Sequence, residues 1–153
     1  MKNRLYKIPL LLLAVALITG ACSKFHDKTD YSAIEESEKD LSGTWKIFSA
    51  TRNGQDISKM MDFTKFSLHL NSDGSYSMDN YLPFMVQKSG QWAIDDPRFP
   101  FTLSFTESGS STPVSTELYY PVVDGKRRIN LTFSPGCYSN TYTYVFISES
   151  NEP

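Results

Sequence analysis

Histidine is almost absent from this chain: His26 and His69 are the only two in 153 residues. A His-rich metal centre is therefore excluded, and no Ser-His-Asp set can be assembled around a core imidazole. Cysteine is as scarce. Cys22 and Cys137 are the whole inventory, which leaves no disulfide framework and no Cys-x-x-Cys motif. A basic excess is missing too, with Lys+Arg 15 against Asp+Glu 17. Lys2, Arg4 and Lys7 all precede Cys22, so the remainder carries five more acids than cations, the wrong sign for nucleic acid. The apolar run Leu10 to Ile18 is too short for a bilayer core, which needs about twenty residues. Glycines are scattered through turns and form no phosphate loop, and no spaced acids resemble a calcium loop. So thin a stock of acids, bases and nucleophiles points away from an enzyme, a cofactor or a metal.

What is present begins at the N-terminus. Three cations, the apolar run and then Thr19-Gly20-Ala21-Cys22 have the order of a secretory signal over residues 1–21. The segment resembles a bacterial lipoprotein signal, whose small residues end in the lipidated cysteine. That resemblance implies an acylated Cys22 as the first mature residue and a membrane partner through its lipid. Ser23 follows where a retaining Asp would stand, which by similarity to other lipoproteins implies the outer membrane, on its periplasmic or its surface side. Residues 22–40 are polar and charged and read as the lipidated cysteine and a tether.

From residue 41 to 148 the signal is period two. Phe66, Leu68 and Leu70 alternate with polar residues, as do Phe101, Leu103 and Phe105, and Ile129, Leu131 and Phe133. Such alternation turns one face inward and the other to water. Tyr142, Tyr144 and Phe146 alternate with Thr143, Val145 and Ile147, which gives a last strand covered on both faces. Turn residues cut the runs at short intervals: Asn53-Gly54, Asn71-Ser72-Asp73-Gly74, Ser89-Gly90, Asp95-Asp96-Pro97, Ser108-Gly109, Asp124-Gly125 and Pro135-Gly136. The reading is all-β: an antiparallel meander of roughly eight strands, at 43–52, 64–70, 75–81, 86–94, 100–106, 113–121, 127–133 and 140–148, closing into a barrel. One short helix is expected over Ile57 to Phe63, between the first two strands, and 149–153 is a tail. Lys126-Arg127-Arg128 reads as a solvated hairpin end, with an anion contact as the alternative.

Leu41-Ser42-Gly43-Thr44-Trp45-Lys46 opens the first strand with a Gly-x-Trp motif. Asp73-Gly74-Ser75-Tyr76 and Ser89-Gly90-Gln91-Trp92 sit in later strands. On these residues the domain resembles the lipocalin-like lipoproteins of the small kind common in Bacteroidetes. The resemblance implies that Trp45 plugs one end of the barrel. The last strand carries no Arg to pack on that tryptophan.

The remaining chemistry is aromatic: Phe 10, Tyr 9 and Trp 2. Most rings must form the core, yet neighbours such as Tyr119 and Tyr120 cannot both point inward along a strand. Tyr76, Tyr81, Phe84, Tyr119 and Tyr120, with Met60 and Met61 as a lid, are the candidate ligand rim. Two functions follow. One is non-enzymatic binding of a small apolar or glycan-like ligand at an open barrel end. The other is a structural or protein-interaction role in the cell envelope with a filled barrel.

Overall fold

The computed structural model describes residues 35–149 apart from 84, 135, 137 and 138. The signal segment, Cys22, most of the tether, Phe84, Cys137 and the tail from 150 lie outside the described residues. The chain divides into two units, residues 1–35 and 36–153, and the barrel lies wholly in the second.

Ten strands follow one another: β1 (Gly43–Arg52), β2 (Gln55–Asp56), β3 (Ser67–Leu70), β4 (Ser75–Asp79), β5 (Gly90–Ile94), β6 (Thr102–Glu107), β7 (Val114–Tyr119), β8 (Val122–Val123), β9 (Lys126–Phe133) and β10 (Tyr142–Ser148). Eight of them form the wall, in the order β1-β3-β4-β5-β6-β7-β9-β10, and β10 pairs back onto β1. Every pairing is antiparallel. Closure gives every wall strand a partner on both sides, which removes the free edge strands of an open sheet. The two-residue strands β2 and β8 are hairpin extensions of β1 and β9. Their loops, Asn53-Gly54 and Asp124-Gly125, hold positive φ at both central residues. That is the geometry of tight hairpin turns, and it explains why those dipeptides stand there.

The expected helix over Ile57 to Phe63 does not form; the described residues contain no helix of that kind there. Two aspartates cut it short. The Asp56 carboxylate accepts from the Ser58 amide at 2.8 Å, and the Asp62 carboxylate from the Thr64 amide at 3.0 Å. What remains is one turn, with the Met60 amide donating to Ile57 O at 2.9 Å. Seven residues are also too few to offset helix nucleation.

β1 carries a bulge. Ile47 pairs with Phe146 and Ser49 with Val145, leaving Phe48 without a partner on β10. The bulge changes the phase of β1, so Trp45 and Ala50 both point inward although they stand five positions apart. Phe48 is left outside, with the Arg128 guanidinium 4.1 Å over its ring.

Side chains fill the barrel. Leu68, Leu103, Phe105, Leu131, Tyr144 and Phe146 are fully buried. Tyr76 and Phe105 meet edge to face at 5.0 Å, as do Phe63 and Tyr144 at 6.3 Å, and Phe66 and Phe146 pack tilted at 6.0 Å. Trp45 is buried near the start of β1, where its indole N–H donates to Leu41 O at 2.9 Å. On β10, Tyr144 and Phe146 face the core while Thr143, Val145 and Ile147 are only half-buried, so the outer face is not covered as the alternation suggests. Tyr76, expected at the rim, is 2% exposed. Its hydroxyl meets no hydrogen-bond partner among the described residues. Burial, reinforced by the Glu107 charge, pushes its pKa up to about 12. An orphaned hydroxyl forfeits its hydration for nothing, so Tyr76→Phe is expected to be neutral or to raise unfolding free energy by about 1 kcal/mol. Denaturant titration reads this directly; a clear loss of stability would show that the hydroxyl has a partner.

Candidate functional site

Register defines two ends. Gly43, Leu70, Ile94, Thr102, Tyr119 and Lys126 lie at one, and Arg52, Ser67, Asp79, Glu107, Val114 and Phe133 at the other. The chain enters at the first, which is called the tether end. There the Lys39 amide donates to Pro97 O at 2.7 Å, and residues 37–41 border a hollow of about 230 Å³ shared with Tyr120 and Arg127. Lys39 also pairs with Glu36, and the Asp40 carboxylate accepts from the Ser42 amide at 2.8 Å.

Beside that hollow lies an apolar groove of about 260 Å³, walled by residues 99–101 and 118–121. Two aspartates shape its first wall. Asp95 Oδ1 accepts from the Phe101 and Thr102 amides, both at 2.9 Å, and Asp96 Oδ1 from the Arg98 amide at 2.8 Å and the Phe99 amide at 3.3 Å. Those amide bonds hold the Asp95 carboxyl below the usual carboxylate range. The loop so fixed turns Phe99 and Phe101 outward, 54% and 70% exposed. Phe101 thus does not join Leu103 and Phe105 inside, because it precedes β6 and stands beyond the rim. The second wall follows from pairing. The Leu118 amide donates to Phe101 O at 2.8 Å, which sets the end of β7 against the start of β6. Tyr119, the last residue of β7, is 65% exposed, and Tyr120 just beyond it is half-buried. Arg127 stacks 5.3 Å over the Tyr120 ring and donates from Nη1 to Tyr120 O at 3.0 Å.

A third hollow, about 290 Å³, lies on the outer wall among Lys46, Phe48, Ser58, Met61, Asp62 and Glu149. Lys46 Nζ donates to Ser67 Oγ at 2.8 Å and lies 3.8 Å from Glu149.

The candidate residues are therefore dispersed. Tyr119 and Tyr120 share the tether-end groove, Met61 lines the outer-wall hollow, and Tyr76 is core. Met60 and Tyr81 are exposed on loops beyond the opposite end and reach no shared pocket with Tyr119. Phe84 lies outside the described residues. Phe99 and Phe101 were missed as surface residues. Their signal is in the sequence, since Phe99-Pro100-Phe101 lies one residue beyond the Asp95-Asp96-Pro97 turn.

One arrangement on the outer wall has the outline of a relay. Thr44 Oγ1 and His69 Nδ1 lie 3.1 Å apart, and His69 Nε2 and Asp79 Oδ2 also 3.1 Å. The His69 hydrogen bond holds the Asp79 carboxyl below its ordinary range. Thr44 pairs directly with His69 in the β1–β3 ladder. The trio is a cross-strand hydrogen-bond chain that ties three wall strands together. Among the described residues no group of three or more His, Cys, Asp or Glu could hold a metal. No helix among them is long and apolar enough to cross a membrane.

The described residues thus form a small closed β-barrel of eight antiparallel wall strands, with a packed interior and an apolar groove at the end where the chain enters. The family model of a domain of unknown function, DUF5004, matches residues 23–147, and the chain belongs to that family. No curated protein and no solved structure matches it.

Proposed function

We propose that this chain is a lipid-anchored, lipocalin-like envelope protein that binds without catalysis, on the outside of a filled barrel. The observation that carries the reading is the tether-end groove. Its rings lie open to solvent while the barrel interior is occupied by Tyr76, Phe105, Tyr144 and Phe146. A groove of about 260 Å³ is slightly below the ordinary range for small-molecule pockets, roughly 300–1,000 Å³, and it is almost wholly apolar. It suits a flat apolar or glycan-like group laid against Phe101 and Tyr119 better than a molecule swallowed into a cup. Trp45 then closes the barrel structurally, and Cys22 holds the protein on the outer membrane.

A second reading, an envelope protein as partner, is favoured by the outer-wall hollow with its outward Phe48 and Met61. Purification from the host envelope followed by native mass spectrometry separates the two. A retained small molecule, lost in Phe101→Ser, supports the groove. A stoichiometric protein insensitive to Phe101→Ser and lost in Phe48→Ser supports the second reading. The anchor is tested independently by growth with a clickable fatty acid. The wild-type chain is expected to take the label and Cys22→Ser to lose it entirely; a wild-type chain without label would end the anchor reading.

A further inference from the structure

We infer that the tether-end groove lies against the lipid surface to which the chain is anchored, so that Phe99, Phe101 and Tyr119 insert at the headgroup boundary. This rests on the readings of Cys22 as the anchor and of the groove as the binding surface, and it names the occupant.

Three features converge on one end of the barrel. The first is where the chain enters. Residues 36–41 run past Pro97, Tyr120 and Arg127, directly beside the groove. Thirteen residues separate Cys22 from Glu36, and even fully extended they reach at most about 50 Å. An acyl chain at Cys22 thus keeps this end of the barrel near the bilayer at high effective concentration, and a weak surface affinity suffices to dock it.

The second is the residue type. Phe99, Phe101, Tyr119 and Val122 are each more than half exposed, and all lie at the tether end. Aromatic side chains are the ones that settle at the boundary between headgroups and acyl chains. At the opposite end Met60 and Tyr81 are exposed on separate loops and Val114 at the start of β7 is 38% exposed, but none of the three lines the apolar groove.

The third is charge. Arg98 sits in the Asp95–Phe101 loop, and Lys126 and Arg127 stand on the hairpin next to Val122, with the single acid Asp124 at its turn. Cations around an apolar tip meet lipid phosphates. The two acids of the loop are engaged in holding it: Asp95 and Asp96 accept the backbone amides that splay Phe99 and Phe101 outward. They shape the tip and direct the rings, while the cations flank it.

The test uses residues 23–153 with no acyl chain, so that the anchor contributes nothing. The barrel closes on itself and buries its core between Leu41 and Phe146, within the unit of residues 36–153. Flotation is measured with vesicles of phosphatidylethanolamine and phosphatidylglycerol. The chain is expected to float with them, and Phe101→Ser and Tyr119→Ser each to lower the bound fraction about tenfold. Val114→Ser, at the opposite end, is expected to float like the parent. Circular dichroism and melting of each variant establish that it is folded. A parent that stays at the bottom of the gradient, or binding equally weakened by Val114→Ser, overturns the inference. The fatty-acid label at Cys22 and the Phe101-dependent ligand in native mass spectrometry would stand or fall separately. If both hold while flotation fails, the groove binds something other than the bilayer.

Discussion

Gly90→Ala is expected to lower the melting temperature by about 10 °C or more. Sequence places Gly90 in a turn after Ser89, where glycine would serve to reverse the chain. The structure gives it a different task. Gly90 is the first residue of β5, paired with Tyr76 on one side and Glu107 on the other. A Cβ built there would lie 1.9 Å from Thr106 O and 2.9 Å from its carbonyl carbon. Those are backbone atoms of β6, and no rotamer change can move them aside. The strand has little to spare, because β4 and β5 are joined by only two residue pairs, Ser75 with Gln91 and Tyr76 with Gly90. Pushing β5 away from β6 therefore loosens the thinnest seam of the wall. Overpacking in a core costs about 1–3 kcal/mol when side chains can yield, and here they cannot. A melting temperature within about 2 °C of the parent would mean that β5 does not approach β6 in this way.

Tyr144→Ala is expected to cost about 3–5 kcal/mol. Tyr144 is fully buried on β10, the strand that closes the ring. Its ring lies within 6.4 Å of those of Phe63, Phe133, Tyr142 and Phe146. Truncation would leave a cavity that four rigid rings cannot collapse into. The hydroxyl adds a separate contribution, since it donates to Pro83 O at 3.2 Å and so pins the loop between β4 and β5. Burial pushes the phenol's pKa well up, and the neighbouring Tyr142 adds to the shift, so it stays a neutral donor. Tyr144→Phe keeps the ring and gives up that one bond, at an expected cost of about 1 kcal/mol. The two variants divide packing from anchoring. Equal losses in both would place the stabilisation in the hydroxyl and contradict a filled core.

The wall of the barrel was legible because alternation is a local property. Leu68 and Leu70, Leu103 and Phe105, and Ile129, Leu131 and Phe133 reveal their inward face by spacing alone. Asn53-Gly54 and Asp124-Gly125 reveal their turns by the positive φ that they tolerate. What was not legible depends on distant partners. The phase change at Phe48 exists only relative to β10. The constraint on Gly90 is imposed by Thr106, which no pattern around Gly90 reports. Phe101 obeys the period of β6 but lies one residue before its first pair, and a periodic pattern cannot say where the rim falls. The groove was half legible. A hairpin of β6 and β7 puts the residues before the one beside those after the other, so 99–101 and 119–121 had to meet once the strand ends were known. Tyr76 failed for the opposite reason, because its aromatic neighbours in sequence suggested a rim while its position on β4 made it core.

The account depends most on a closed and filled barrel, and nuclear Overhauser contacts of Phe146 test it directly. In solution Phe146 should show cross-strand contacts to Ile47 on β1 and to Ile129 on β9, with its ring in contact with that of Phe66. Contacts to only one of the two strands, or a Phe146 ring in contact with bulk water, would describe an open sheet or a hollow cup and contradict it.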